Sequence, residues 1–172
     1  DLNALILTGH LGEQFENLTH EGIELTFVQE NERLGTGGAL WNARNYLDDE
    51  FVLVWGDDYH PINYRRLLKA HSEHGLPITM TVIEGHDTFN LHHQNGLVVE
   101  YSKVDHKATY NGYEAGTSIV RKSVVDDIGI VKMKNIWGFL KTQTAAIVQH
   151  VVQAHRRLAK SPNHRGSKKH QK

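Results

Sequence analysis

Two groups of residues in this 172-residue chain have types and spacings suited to binding an anionic ligand or the edge of a base and a metal ion. The first is the glycine-rich stretch Gly35-Thr36-Gly37-Gly38. Glycines let a ligand approach the backbone, and amides that lead into a helix N-terminus favour an anion or the edge of a base. The second is Gly56-Asp57, whose carboxylate is the kind of ligand that Mg²⁺ prefers. Both patterns are also typical of ordinary turns and helix caps.

Strands and helices are predicted to alternate around these residues. Apolar runs rich in β-branched residues predict strands over residues 2–7, 23–28, 51–55 and 78–83. Helices are predicted between them, over residues 11–18, over roughly 39–47 and from Pro61 to Gly75. This order is typical of a parallel sheet covered on both faces, in which ligands bind beyond the carboxyl ends of the strands. The glycine-rich stretch and Gly56-Asp57 each follow a strand, so we expect both at that edge.

The second half of the chain predicts a different organisation. Residues 96–101 and 117–120 are expected to be strands of a more antiparallel region, and Val148, Val151 and Val152 fall on one face of a late helix. We therefore expect a partial α/β core over residues 1–130 and a basic C-terminal helix and tail over residues 131–172.

The net charge of −1 is the sum of two unlike segments. Residues 1–131 contain all 20 acidic residues and 9 of the Lys and Arg, whereas residues 132–172 contain 10 Lys and Arg and no acid. A basic tail predicts an anionic partner, so a binding module for nucleic acid is the alternative function. The run from His155 to Lys172 contains no Phe, Trp or Tyr for stacking on bases and no known nucleic-acid motif, which makes that partner the weaker expectation. A further alternative is that residues 132–172 do not belong to the same protein family as the core over residues 1–130.

Several site classes are excluded or disfavoured by composition. The chain has no cysteine, which excludes disulfide scaffolds, zinc ribbons and thiol catalysis. His71 and His74 lie three residues apart and His92-His93 are adjacent, but without a His-Glu-x-x-His motif they are interpreted as surface histidines rather than metal ligands. No run approaches the roughly 18–20 apolar residues of a membrane span, so we expect no membrane partner and a cytoplasmic location.

Five segments, in order and at the right spacing, resemble the sugar nucleotidyltransferases, also called sugar-1-phosphate pyrophosphorylases. These segments are Glu30 with Leu34-Gly35-Thr36-Gly37-Gly38-Ala39-Leu40, then 51–58, Ile62 to His71, 96–103 and 113–122. The resemblance covers roughly residues 2–128. It is closest to the enzymes that activate mannose or heptose 1-phosphates, which favours GTP as the nucleotide.

The resemblance implies a three-layer Rossmann-like α/β fold with a mainly parallel sheet, and transfer of a nucleotidyl group from an NTP to a sugar 1-phosphate. It assigns Asp57 and Lys103 to catalysis, with Asp57 holding Mg²⁺ and Lys103 meeting the sugar phosphate. The nucleotide-binding residues that it implies are Glu30, Gly35, Thr36, Gly37, Gly38, Gly56 and Asp57. Glu114 and Gly116 are assigned to the sugar pocket, and assembly into a homo-oligomer is left open.

Two parts of the family's pattern are missing from this sequence. The family begins with a strand and a glycine-rich signature containing Gly-Thr-Arg, a triplet that does not occur here. It also carries a late acidic metal ligand, but no acid follows Asp127, and Asp126-Asp127 is expected on a short helix instead. We therefore expect a fold that is incomplete at its first strand, an impaired reaction, and an open question as to whether these 172 residues form an active enzyme.

Overall fold

The computed structural model describes residues 2–57, 59, 61–84, 88–102, 104–128 and 145–150. The strands of this part of the chain are β1 (Leu2–Thr8), β2 (Ile23–Gln29), β3 (Glu50–Val54), β4 (Ile78–Ile83), β5 (Leu91–Gln94), β6 (Leu97–Tyr101), β7 (Tyr113–Arg121) and β8 (Ala145–His150). Its α-helices are α1 (Gly35–Asn42), α2 (Tyr64–His74) and α3 (Lys122–Ile128). The predicted alternation of strands and helices is therefore present as far as β4, except that no α-helix separates β1 from β2.

The described strands form two sheets. β1 and β2 pair in parallel, with Leu2 opposite Ile23 and Thr8 opposite Gln29. The other six strands have the order β3-β7-β4-β8-β6-β5. β7 runs antiparallel to both β3 and β4, so β3 and β4 point the same way although they are not neighbours. β8 runs parallel to β4. The sheet is thus mixed, and the ends of β3 and β4 face one edge, where a ligand site is expected.

The core lies around β4 and β7. Five of the six residues of β4 are buried, from Ile78 to Val82, and β4 has a neighbouring strand on each side. Leu40 from α1 and the adjacent Val124 and Val125 from α3 complete a continuous apolar cluster with this sheet. β4 alternates between apolar residues and the threonines Thr79 and Thr81, whose buried hydroxyls are hydrogen-bonded inside the core.

Helix α2 is held on β4 through two histidines. The side chain of Asn63 caps its N-terminus by accepting from the backbone N–H of Arg66, and Gly75 ends it at φ 64°. His71 is only 2% exposed, and its Nδ1 lies 2.6 Å from Thr79 Oγ1. His74 Nε2 lies 2.8 Å from the same oxygen. The interpretation of His71 as a surface histidine is therefore wrong, because Thr79 on the buried strand gives its imidazole a polar partner.

Residues 11–18 do not form the predicted helix. Only a short 3₁₀ turn forms there, over Gly12–Gln14, and Leu11 before it has a left-handed φ of 61°. The three apolar residues at helical spacing are 45–53% exposed: Leu11, Phe15 and Leu18. Amphipathic helices depend on packing of their apolar face for stability. This segment lacks that packing against the described part of the chain.

β8 corrects the prediction of a late helix where the two overlap. Residues 145–150 form a strand whose Ala145 lies opposite Ile78 and whose His150 lies opposite Ile83. A short apolar run cannot be distinguished as helix or strand by periodicity alone, and pairing with buried β4 decides for the strand. Val151 and Val152 and the rest of the basic tail lie outside the described residues.

The β5–β6 hairpin adds one strand that was not predicted. Its turn residues Asn95 and Gly96 have φ values of 53° and 76°, as a type I′ turn requires. The Asn-Gly pair was the sequence signal for this hairpin. His92 and His93 lie on this strand. None of the helices described here is long and apolar enough to span a membrane.

Candidate functional site

The residues after β3 meet the beginning of β7. Val54 pairs with Thr117, and the backbone N–H of Trp55 donates to the carbonyl of Gly116 over 2.9 Å. Gly56 and Asp57 follow as an exposed turn. Glu114, which lies opposite Val82, therefore stands at the carboxyl ends of both β3 and β4.

Glu114 is a buried carboxylate with a fixed orientation. It is 7% exposed, and its Oε1 accepts from the backbone N–H of Gly116 over 2.9 Å and from the indole Nε1–H of Trp55 over 3.3 Å. Its own backbone N–H donates to Asn90 Oδ1 over 2.9 Å. Two donors on one oxygen suit a negatively charged acceptor, and they hold the carboxylate at the strand ends.

The negative charge of Glu114 also affects the pKa of Tyr101 in the core. Burial raises the pKa of the Tyr101 phenol far above its ordinary value, and the negative charge of Glu114 raises it further. A buried phenolate beside a carboxylate would be costly. Tyr101 therefore remains protonated.

The predicted glycine-rich loop forms the first turn of α1, which begins at Gly35 rather than at Ala39. Gly35 has a φ of 73°, a conformation that favours glycine. A Cβ on Gly38 would lie 2.5 Å from the Leu34 Cβ, so Gly38 is required for close packing inside this turn. The backbone N–H of Leu34 donates to Glu30 Oε2 over 3.2 Å, which ties Glu30 to the start of the helix.

A cavity of about 550 Å³ lies beside Glu30. Its lining includes Gly9, His10, Gln29, Glu30 and Arg33. A Cβ on Gly9 would come within 3.1 Å of Glu30 Oε1, so this glycine leaves room for the carboxylate. The volume falls in the range of small-molecule sites.

The described residues contain no group of three or more His, Asp or Glu side chains placed to hold a metal ion. Asp57 supplies one exposed carboxylate at the end of β3. Mg²⁺ commonly takes one or two protein carboxylates and completes its shell with water and substrate phosphates. Asp57 therefore fits a Mg²⁺ site that depends on the phosphates of a bound nucleotide.

The structure brings the predicted residues into two local groups. Gly56 and Asp57 follow β3 at the point where Trp55 joins it to Gly116 and Glu114 of β7. The others lie at the start of α1, which Glu30 ties to the cavity that it lines: Glu30, Gly35, Thr36, Gly37 and Gly38. Lys103 lies outside the described residues. Sequence reasoning missed Trp55 as a hydrogen-bond donor of this site. Nothing in the sequence indicates the direction of its indole N–H.

Comparison with known proteins identifies the family. The sequence profile described as "Nucleotidyl transferase" matches residues 4–109, more than half of the chain. The bifunctional protein GlmU of Francisella tularensis subsp. novicida is 43% identical over 56 residues, which are 32% of this chain and 12% of GlmU. The aligned stretch is thus a small part of that relative.

Solved structures show the same fold at low sequence identity. HddC from Yersinia pseudotuberculosis, solved in complex with GMP-PN, matches with a TM-score of 0.69 and 20% identity over 85% of this chain and 68% of HddC. A protein of Bacillus anthracis assigned as a glucose-1-phosphate thymidylyltransferase, solved with a sucrose, matches with a TM-score of 0.70 and 16% identity over 93% of this chain and 77% of that protein. The Rossmann-like α/β fold is confirmed, and these comparisons lend no support to the nucleic-acid alternative. The chain belongs to the nucleotidyl transferase family.

Proposed function

We propose that this chain serves the transfer of a nucleotidyl group from a nucleoside triphosphate to a sugar 1-phosphate. The observation that carries the proposal is the junction of β3 with β7, where Trp55 bonds to both Gly116 and Glu114. The exposed Asp57 follows Trp55 by two residues, and Glu114 is a buried, oriented acceptor at the carboxyl ends of β3 and β4. A phosphate-bound metal and a polyhydroxylated ligand are the two chemistries that such a pair suits.

The reaction needs positioning and charge neutralisation more than covalent chemistry. A phosphate oxygen of the sugar 1-phosphate forms a new bond to the α-phosphorus, the bond from that phosphorus to the bridging oxygen breaks, and pyrophosphate leaves with the electron pair. Glu114 would accept hydrogen bonds from sugar hydroxyls, and Gly116 would contribute the backbone N–H that orients its carboxylate. Lys103 is proposed to meet the sugar phosphate.

Mg²⁺ is the proposed cofactor, with Asp57 as its protein ligand. When bound, it would neutralise charge on the phosphates of the nucleotide. Asp57→Asn is then expected to weaken the Mg²⁺-dependent part of nucleotide binding, while binding measured in EDTA stays unchanged.

The cavity beside Glu30 is the proposed base site, and guanine is the proposed base. Guanine presents two neighbouring donors, N1–H and N2–H, on its Watson–Crick edge, and a carboxylate can accept both. Glu30 lines the cavity, and HddC, which shares the fold, has been solved with GMP-PN. These observations support GTP over the other nucleoside triphosphates.

Turnover by these 172 residues alone is proposed to be slow. The sequence has no Gly-Thr-Arg triplet and no acid after Asp127. Loss of one group that stabilises the transition state costs on the order of 10²-fold or more in rate. Substrate binding is expected to survive better than turnover, because the residues proposed for binding lie in β2, β3, β7 and the turns beside them.

Calorimetric titration with GTP, ATP, CTP and UTP in Mg²⁺ tests the binding proposal. We expect GTP to bind at least about tenfold more tightly than the others, as one charge-assisted hydrogen bond would give. If no nucleoside triphosphate binds, the proposed function is contradicted. A pyrophosphate-release assay with GTP and mannose 1-phosphate tests the proposed impairment, and robust turnover would refute only that part.

The proposed substrates are highly charged phosphate esters, which do not cross membranes unaided. A cytoplasmic location therefore remains our proposal for this protein. Homo-oligomer formation stays a prediction, which light scattering of the purified chain would test.

A further inference from the structure

Trp55 connects the two halves of the strand-end site. It lies between the last residue of β3 and the Gly56-Asp57 turn, and its backbone N–H bonds to Gly116. Its side chain turns back toward β7, where the indole Nε1–H donates to Glu114 Oε1 over 3.3 Å. One residue thus fixes the backbone beside Asp57 and also contacts the acceptor on the neighbouring strand.

The donors to Glu114 differ in how they constrain it. The backbone N–H of Gly116 is two residues away on the same strand and holds the carboxylate locally. The indole N–H of Trp55 reaches it from a different strand, 59 residues earlier in the chain. A carboxylate held from two directions loses rotameric freedom and presents a set geometry to a ligand.

Packing is the competing explanation for Trp55. Its ring is partly buried against the apolar core cluster, so the residue could be kept for its surface area alone. The two explanations make different demands on the ring. Packing depends on its carbon atoms, whereas orientation of Glu114 depends on its N–H.

We infer that Trp55 is a positioning residue for sugar recognition, whose indole N–H holds the Glu114 carboxylate in the orientation that accepts hydrogen bonds from the sugar hydroxyls. This inference rests on the proposed function. It assigns specificity for the sugar to a contact between strands and leaves recognition of the base to the cavity beside Glu30.

A comparison of GDP-mannose with GDP isolates the contribution of the sugar. Calorimetric titration of the 172-residue chain gives the ratio of the two dissociation constants, which should favour GDP-mannose in the wild type. Trp55→Phe removes the N–H and keeps an aromatic ring. We expect it to weaken GDP-mannose binding about tenfold and to change GDP binding less than twofold. The lost hydrogen bond orients Glu114, which is proposed to contact the sugar and not the nucleotide.

A double-mutant cycle separates positioning from packing. If Trp55 acts through Glu114, the Trp55→Phe change should have no further effect on GDP-mannose affinity in a Glu114→Ala background, which has no acceptor for the indole N–H. Trp41→Phe is the matched control, because Trp41 also packs against the core but stacks on Arg44, with its guanidinium carbon 3.6 Å from the ring centroid. This control should leave the ratio of dissociation constants unchanged.

Three results would overturn the inference. Additive effects of the two substitutions on GDP-mannose affinity, or an unchanged ratio of the two dissociation constants in Trp55→Phe, would mean that the ring only packs. In either case the proposed function would stand as long as the wild type prefers GDP-mannose. A wild type that binds GDP and GDP-mannose equally would contradict the proposed function itself. Should Trp55→Phe fail to fold, site-specific incorporation of benzothienylalanine at position 55 removes the N–H with almost no change of shape, and the same expectations apply to it.

Discussion

Glu30 combines a structural and a proposed recognition role in one side chain. One of its oxygens accepts from the backbone N–H of Leu34 at the start of α1, and the residue also lines the cavity. A carboxylate has lone pairs beyond those used by one hydrogen bond, so it can hold the helix start and still accept from a base.

Glu30→Gln tests this double role. We expect about a tenfold loss of GTP affinity, because an amide can accept only through one atom and places donors opposite the donors of guanine. The matched control is Glu24→Gln, an exposed residue of β2 outside the cavity lining. Calorimetric titration measures both variants. Unchanged GTP affinity in Glu30→Gln would exclude Glu30 from base recognition.

Gly38 illustrates a glycine whose role is packing. We expect Gly38→Ala to lower the free energy of unfolding by about 1–3 kcal/mol, since the added Cβ would lie 2.5 Å from the Leu34 Cβ inside the first turn of α1. Gly56→Ala is the control, because nothing lies within 4 Å of a Cβ there. Urea denaturation followed by circular dichroism compares the two. Equal stability of both variants would show that the α1 turn adjusts without cost.

At the scale of elements, the hydrogen bonds between α2 and β4 determine which ring nitrogen of each histidine carries the proton. The backbone N–H of Leu76 donates to His74 Nδ1 over 3.0 Å, so the proton of neutral His74 is on Nε2 and points to Thr79. The Thr79 hydroxyl can then donate to His71 Nδ1. His71 Nε2 faces Glu50 Oε1 at 3.5 Å, and Arg121 Nε donates to the same oxygen over 2.9 Å. If His74 took up a second proton, its Nδ1–H and the backbone N–H of Leu76 would be two donors facing each other without an acceptor.

Stability is therefore expected to fall below neutral pH. Burial lowers the pKa of His74, and the electrostatic effects of the neighbouring His71 and Arg121 lower it further. The unfolded chain then binds more protons than the folded one, so the stabilisation is complete above the unfolded pKa of about 6.5 and is lost as pH falls through and below that value. A second decline is expected below about pH 4.5, because the hydrogen bond from Arg121 lowers the pKa of Glu50 from its ordinary value of 4.5.

His74→Asn tests the first of these two declines. Asn can still accept from the N–H of Leu76 but does not titrate, so the slope of unfolding free energy against pH between 7 and 5 should become shallower. His10→Asn, at an exposed position, should leave the slope as in the wild type. Urea denaturation at half-unit pH intervals measures this. Parallel slopes in wild type and His74→Asn would refute the role of His74.

At the scale of the whole molecule, stability is unevenly distributed. β4 and β7 are buried along most of their length, whereas β1 and β2 have only exposed and half-buried residues. β1 and β2 form a two-stranded sheet within the described part of the chain, and such a pair is marginal by itself. The proposed base cavity is lined by Gln29 at the end of β2 and by residues that directly follow β1 and β2.

Hydrogen exchange followed by mass spectrometry should show this gradient. We expect amides of β4 and β7 to exchange most slowly and those of β1 and β2 at least about tenfold faster, because local opening of a less buried pair costs less free energy. Saturating GTP should slow exchange around the cavity, including the amide of Glu30, which donates to the Thr8 carbonyl. Equal protection of both sheets, or no effect of GTP, would contradict this distribution.

The sequence by itself determined the elements that carry a strong local pattern. The apolar runs of β1, β2, β3 and β4 were predicted within one or two residues, and so was the end of α2 at Gly75. The order of the five motifs was enough to identify the family, which the profile match over residues 4–109 confirms. These features are local, because strand pattern, cap chemistry and motif spacing depend on residues close together in the chain.

Only the tertiary structure decided the features that depend on distant neighbours. The missing helix at 11–18 and the strand at 145–150 both follow from what is, or is not, packed against the segment. The burial of His71 depends on Thr79 in the next element, and the orientation of Glu114 depends on Trp55, 59 residues earlier. Sequence spacing shows which residue types are available for a site. The pairing of β7 with β3 decided which of them meet, because a hydrogen bond between strands requires a register that no local pattern encodes.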